Sequence, residues 1–402
     1  MFCGANPNGI QTEVFCSVFA ARMVQYAATE RIVLSARQRN ENMKGNAPMN
    51  AIKVLAGGAL ALGVLAGCGP AKPELHVYTW SDYIDAGVIA QFEEKHGCRV
   101  IVDTFDSNEA MFAKLQAGST GYDVLMPTSY QIPVMVANKM IRKLDHSKLP
   151  NVKKNIDQGY FACMLDKTME YNVPYAVTLT GFSYRKDKTA GAPVDSWKMF
   201  MSSAHKGRMS LLSDMRETIG AALKSLGYSL NSMKKEEIDA AVKVVLEWKK
   251  NIAKFDNEQY KTAVASGEWF VGHGYSSDII QTIMDDEKDV IGFSLPKEGF
   301  TVCCDEMVVA ADAPQPELAH AFINFLYDAE VCKANMASVC APMPCAPAMK
   351  LLAADAETAK LASLIAIDSK VLANGEVLKD FDDNPEVRKM YIDAWDRIKA
   401  GE

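Results

Sequence analysis

From Leu75 onward the spacing of apolar residues keeps switching between a period of two and a period near four, and that alternation restricts the chain to an α/β fold. Leu75–Trp80 is rich in strand formers, whereas Ile84, Val88 and Phe92 recur every four residues up to Gly97. Arg99–Phe105 reads as a second strand, Glu109–Gln116 as a short helix stopped at Gly118, and Tyr122–Met126 as a third strand before a helical stretch to Ile141. Strands alternating with helices imply parallel pairing through right-handed crossovers. Leu149–Tyr171 is loop-like, and Val173–Tyr184 is a long strand able to carry the chain from one lobe to another. Helices follow at Trp197–Ala204, Glu217–Leu226 and Lys235–Ile252, the last amphipathic through Ile238, Val242, Val245 and Leu246. A glycine-rich segment, Gly267–Ser277, precedes strands near Val290–Leu295 and Thr301–Ala310, and three helical segments starting near Glu317, Asp355 and Pro385 close the chain. Two α/β lobes joined by extended crossings describe this pattern, and a length of 402 residues accommodates them.

The first 70 residues do not share the pattern. Ala51–Gly67 is an apolar stretch interrupted by glycine, with Lys44 before it and Lys53 near its head. It falls short of the roughly 20 apolar residues that span a bilayer and suits the core of a signal peptide. Its ending, Leu65-Ala66-Gly67-Cys68, resembles the lipobox of bacterial lipoproteins. That resemblance implies cleavage before Cys68, diacylation of its thiol, and residence in the periplasm or cell envelope on a lipid anchor. The competing reading is a buried Ala/Gly helix, against which stands the helix-hostile tether Gly69-Pro70-Ala71-Lys72-Pro73. Met1, Met43 and Met49 are alternative starts; residues 1–42 read as a non-native or disordered leader outside the fold, 43–67 as the signal peptide and 68–73 as the tether.

The chain carries 43 basic and 50 acidic residues, net −7. Without residues 1–67 there remain 37 basic against 47 acidic, net −10. This balance argues against nucleic acid as a partner, which needs basic clusters to displace counterions, and suits a small cation. Of ten cysteines, Cys98, Cys163, Cys303, Cys304, Cys332, Cys340 and Cys345 follow the anchor. Their spacing has no zinc-ligand pattern, and they read mostly as reduced, small core residues. A metal site from His273, Cys303 and Cys304 is the weaker alternative, so no metal and no cofactor are expected.

Ligands in open α/β sheets bind beyond the carboxyl ends of strands. Two segments stand there: Trp80-Ser81-Asp82-Tyr83 and Pro127-Thr128-Ser129-Tyr130. Each sets an aromatic beside hydroxyls, as does an aromatic that merely closes a core edge. Asp214 and Glu217 lie three apart at a helix start, where capping explains them as well as a ligand does. Asp278, shortly after Tyr275, and Asp305, after Cys303-Cys304, are lone acids ending runs of small or apolar residues. Aromatics with carboxylates and few cations suit an alkyl chain ending in ammonium groups, because the acids pair with charge while rings attract the cation and cover the methylenes.

The stretches VYTWSDYI, FDSNEAMFAKLQAGSTGYDVLMPTSY, VPYAVTLTG, LLSDMRETIGAALKSLGYS, SLPKEG and HAFINFLYD run in order from about Glu74 to the C-terminus. In them the chain resembles the periplasmic spermidine/putrescine-binding proteins of ABC importers. The resemblance implies a two-lobed periplasmic-binding-protein fold of type II, a flytrap with a hinge of extended crossing segments. The expected lobes are 74–181 with 276–312, and 182–275 with 313–402. It implies capture of putrescine or spermidine and delivery to an inner-membrane ABC permease, with no catalysis. Trp80, Ser81 and Tyr83 would form one wall and Thr128, Ser129 and Tyr130 another, with Asp82 where the family tends to carry an acid. Asp214 and Glu217 would hold one end of the polyamine, and Tyr275, Asp278 and Asp305 the other. The chain departs from the family at Ala341, which stands where a pocket tyrosine is usual, at Tyr275 in place of tryptophan, and at Cys303 in place of an aromatic. The alternatives are the same fold binding another organic cation, or a polyamine sensor. A hydrolase using a carboxylate pair finds no supporting motif.

Overall fold

In a computed structural model of the chain, the described residues are 72–379, 381 and 384–401. The leader, the signal peptide, the alternative starts and Cys68 lie outside them.

The strands are β1 (Glu74–Thr79), β2 (Arg99–Thr104), β3 (Val124–Leu125), β4 (Ile141–Arg142), β5 (Asn172–Arg185), β6 (Met209–Leu211), β7 (Lys254–Phe255), β8 (Val271–Tyr275), β9 (Ile291–Ser294), β10 (Phe300–Ala310) and β11 (Gly375–Val377). They join in the order β2-β1-β3-β10-β5-β8-β6-β7, with β4 and β11 on β10 and β9 on β5. The parallel pairing expected from the strand–helix alternation holds toward both ends, where β1 pairs with β2 and β3, and β6 with β7 and β8. It fails at the centre. There β10 runs antiparallel to β3 and β5, and β5 antiparallel to β8, because two long strands cross the molecule in opposite directions.

Two large apolar cores flank this crossing. One gathers Leu75, Val77, Phe92, Val124, Leu125, Val308, Val309 and Phe322. The other gathers Phe182, Trp197, Leu211, Val242, Trp248, Val271 and Tyr391. The 14-residue β5 contributes to both, with Val173–Ala176 in the first and Phe182 in the second, so the long strand read in the sequence does carry the chain between lobes. Between the cores, Val177 and Leu179 pack with Phe300, Val302 and Cys304 of β10.

The expected lobe boundaries need correction. Helices Pro316–Leu326, Ala329–Val339, Ala346–Ala354 and Ala359–Ile365 bury their apolar faces in the first core. Among the closing helices it is Pro385–Ala400 that packs in the second. Segment 313–402 is therefore divided, since β10 returns the chain to the first half of the sheet and the following helices cover the nearest face. Conversely, β9 within 276–312 pairs with the Phe182–Arg185 end of β5, on the second side.

Local readings shift as well. The glycine-rich segment hides β8, followed directly by helix Ser276–Met284. Its glycines serve close packing, because a Cβ on Gly274 would stand 2.2 Å from the Tyr260 ring. Trp197–Met201 and Ser203–His205 are short 3-10 turns in place of one α-helix. The supposed loop 149–171 contains helix Pro150–Asn155 and the 3-10 turn Gln158–Cys163. Among the described residues, no helix is long and apolar enough to cross a membrane.

Candidate functional site

β1 ends at Thr79, and the chain turns through Asp82, which is exposed and adopts a left-handed φ of 54°. That turn faces Ser81 and Asp82 to solvent while Tyr83 folds inward. The half-buried Trp80 sends its indole N–H to the Met126 carbonyl at 3.0 Å and sets its ring edge-on to Phe105. Tyr83 donates to Asp305 Oδ2 at 2.5 Å, and its own carbonyl accepts the Tyr175 hydroxyl. Thr128 donates to the other Asp305 oxygen at 2.6 Å and bridges to Asp305 through the backbone. Hence the turn after β1, the segment after β3 and the middle of β10 converge on one carboxylate.

Asn108 organises the same corner, and reading the sequence did not single it out. Its side chain accepts from the Thr128 N–H and donates to the Thr128 hydroxyl and to Tyr130 Oη at 2.8 Å. It opens helix Asn108–Gln116, capped by Ser107, so the conspicuous Ser-Asn-Glu triplet was the available signal. Ser129 has a different role. Its hydroxyl accepts from Leu165 N–H at 2.8 Å and bonds Glu306, a core carboxylate.

On the second side, Asp214 caps helix Met215–Ser225, accepting from the N–H groups of Arg216 and Glu217 at 2.8 and 3.0 Å. The capping role weighed for it is therefore real. Glu217 is 3% exposed, with Oε1 3.9 Å from Cys303 Sγ. Among the described residues, no hydrogen bond of ordinary length reaches its buried Oε2, but the Thr301 and Thr180 hydroxyls beside the carboxyl act to lower its pKa. Burial and then the charge of Asp214 push the Glu217 carboxyl well above the usual range. Tyr275, half-buried at the end of β8, lies in the field of Asp214, Glu217 and Cys303, which adds to burial in raising its phenol.

Asp278 is held apart from this cluster. Its Oδ2 accepts the Tyr260 hydroxyl and its Oδ1 lies 3.4 Å from Lys261 Nζ. Ala341, fully buried, packs in the first core, and neighbouring Pro342 accepts from Val177 N–H of β5. The seven cysteines are free thiols. No group of three His, Cys, Asp or Glu side chains among the described residues is arranged to hold a metal. His273 packs edge-on against the Trp197 and Phe200 rings, fully buried, with Nδ1 accepting the Leu212 N–H.

The electrostatics follow from these positions. Asp305 is 7% exposed, and burial pushes its carboxyl up to about 6 against the lowering effect of the Thr128 and Tyr83 hydroxyls. Burial also raises Asp214 despite its two backbone donors. The structure thus holds three desolvated carboxylates, Asp305 against Tyr83, and Asp214 and Glu217 within electrostatic reach of Tyr275, with Asp214 also within reach of Tyr130. Charged, they are costly there unless a cation arrives.

Residues 87–364 match the family described as bacterial extracellular solute-binding protein. A putrescine/cadaverine-binding protein of Pseudomonas aeruginosa is 32% identical over 82% of this chain and 94% of its own. A spermidine/putrescine-binding periplasmic protein of Escherichia coli is 31% identical over 87% of this chain and 98% of its own. Among solved structures, a putative spermidine/putrescine ABC transporter protein from Listeria monocytogenes superposes with a TM-score of 0.75 at 30% identity, covering 82% of this chain and all of that one. The fold shared with these structures is the two-lobed type II fold expected from the sequence.

Proposed function

The chain belongs to the bacterial extracellular solute-binding protein family, and from that premise we propose that it captures a polyamine, putrescine or spermidine, and delivers it to an ABC importer. The observation that carries the reading is Asp305: a carboxylate at the meeting of three segments, 7% exposed and bonded by two neutral hydroxyls. Such a group favours an ammonium over water. The Asp214/Glu217 pair offers a second anionic pole and the aromatic side chains a wall for methylenes. Trp80, Ser81, Asp82, Tyr83, Thr128, Ser129, Tyr130, Asp214, Glu217, Tyr275, Asp278 and Asp305 remain the assigned contacts, with two qualifications. Ser129 bonds Glu306 and acts by positioning, and Asp278 is engaged by Lys261.

The chain is assigned to the periplasm or cell envelope, tethered by lipid on Cys68 and docking on a permease in the inner membrane. A carboxylate-pair hydrolase is disfavoured, since Asp214 is spent on helix capping and Asp278 on Lys261 and Tyr260. The test is calorimetric titration with putrescine, spermidine and a neutral diol of similar length. Saturable binding of a polyamine but not the diol supports the reading. Binding of neither polyamine by folded, ligand-free protein would refute it and move the search to other organic cations.

A further inference from the structure

Lys261 has no place in the site as assembled above, yet it reaches the site's edge. It lies in helix Tyr260–Ser266 with its side chain 29% exposed and its Nζ 3.4 Å from Asp278 Oδ1. The adjacent Tyr260, fully buried, gives its hydroxyl to Asp278 Oδ2 and takes the Tyr275 N–H at 3.3 Å. Tyr260 is fixed there from two directions. Asp256 Oδ1 accepts its backbone N–H, and its ring lies so close to Gly274 that no Cβ fits between them. Both oxygens of Asp278 are therefore occupied, one by a phenol and one by an ammonium belonging to the chain itself.

We propose that Lys261 is a resident ammonium that occupies Asp278, beside Tyr260 and Tyr275, and makes the site select a diamine over a triamine. The inference rests on the polyamine reading and deepens it. Among the described residues, Asp305 is bonded by neutral hydroxyls, and the groups that meet the Glu217 carboxyl are likewise neutral, the Cys303 thiol and the Thr301 and Thr180 hydroxyls. These two poles await a cation and match two ammonium groups. A third ammonium would have to displace Lys261 from Asp278 or lie beside it unpaired. The groups facing Lys261 keep it charged: burial lowers its pKa, but Asp278, Glu258 at 3.6 Å and the more distant Asp82 together outweigh that.

The test is titration of putrescine and spermidine into the wild-type chain, Lys261→Met and Lys261→Gln, with Lys350→Met, an exposed lysine of helix Ala346–Ala354, controlling for net charge. Two variants at position 261 guard against a folding defect in one. The wild type is expected to prefer putrescine. Either variant at 261 should raise spermidine affinity relative to putrescine by about tenfold, the effect of one unit charge at several ångströms in a partly desolvated site, and Lys350→Met should leave the ratio in place. An unchanged ratio in folded variants at 261, a wild type that prefers spermidine, or an equal shift in Lys350→Met overturns the inference while leaving the polyamine reading intact. Binding of neither polyamine by the wild type overturns both.

Discussion

Asp305→Asn tests the proposed site most directly, because its effect can be worked from two hydrogen bonds and a pKa. In the free protein the carboxyl is pushed up to about 6, so it is about nine-tenths ionised at pH 7 and about one-tenth at pH 5. An alkylammonium, with a pKa near 10 like that of lysine, keeps its proton throughout this window. Any loss of affinity on acidification therefore belongs to the protein, and Asp305 contributes about 1.4 kcal/mol of it, a tenfold weakening between pH 7 and pH 5. The amide of the variant cannot ionise. It should weaken binding at pH 7 by at least about 2 kcal/mol, since a buried ammonium loses its charge partner, and should flatten the affinity profile between pH 5 and pH 7. Folding is spared, because the amide can accept from one of Tyr83 and Thr128 and donate to the other. Calorimetry at pH 5, 6 and 7 on both proteins measures slope and offset together. If the variant kept the wild-type slope, or bound within threefold of wild type at pH 7, the cation would not be meeting Asp305 and the reasoning would fail.

Tyr83→Phe removes the donor 2.5 Å from Asp305 Oδ2; the carboxyl should rise further, the pH profile of binding should move upward, and affinity at pH 7 should fall by about 1–2 kcal/mol. Gly274→Ala drives a methyl to 2.2 Å from the Tyr260 ring and should destabilise the fold by about 2–3 kcal/mol, read as a lowered urea midpoint; a midpoint equal to wild type would mean that Tyr260 can move aside freely. Glu306, fully buried, is pushed up to about 8 by burial. Its folded pKa lies above the unfolded value, so the native state holds an extra proton and stability falls as pH rises from about 4.5 to 8. Glu306→Gln removes that dependence and should gain up to about 4 kcal/mol on wild type at pH 8 relative to pH 4.5; parallel stability curves for the two proteins would exclude Glu306 as the source.

The sequence made the ends of the sheet legible more readily than its middle. Leu75–Thr79 and Arg99–Thr104 alternate with amphipathic helices, and local periodicity suffices to read them. β8 escaped because glycine, a poor strand former, stands at every second position of Val271-Gly272-His273-Gly274-Tyr275; these glycines answer to Tyr260 and Ser183, contacts made across the fold. The division of the closing helices escaped for a similar reason, since an apolar helix such as Pro316–Leu326 fits either core and long-range pairing of β10 decides between them. Residue types marked out Asp214, Glu217 and Asp305, because carboxylates beside small and aromatic residues are conspicuous. What residue types could not reveal was engagement. Asp278 looks as available as Asp305 until the packing of Tyr260 and Lys261 is seen.

β10 also acts as a measuring rod. Cys303, which touches Glu217, and Asp305 lie two residues apart on it, in regular register with Thr178 and Ala176 of β5, before the irregularity at Glu306. Two residues along a strand advance about 7 Å and return to the same face. The interval between Asp305 and the thiol that meets Glu217 is thus set by the covalent backbone, whose length changes only in whole-residue steps. Side-chain substitutions beside Cys303 and Asp305 leave that spacing as it is. Changing the spacing itself takes a residue inserted or deleted between Cys303 and Asp305, which would turn one of the two to the opposite face of the sheet.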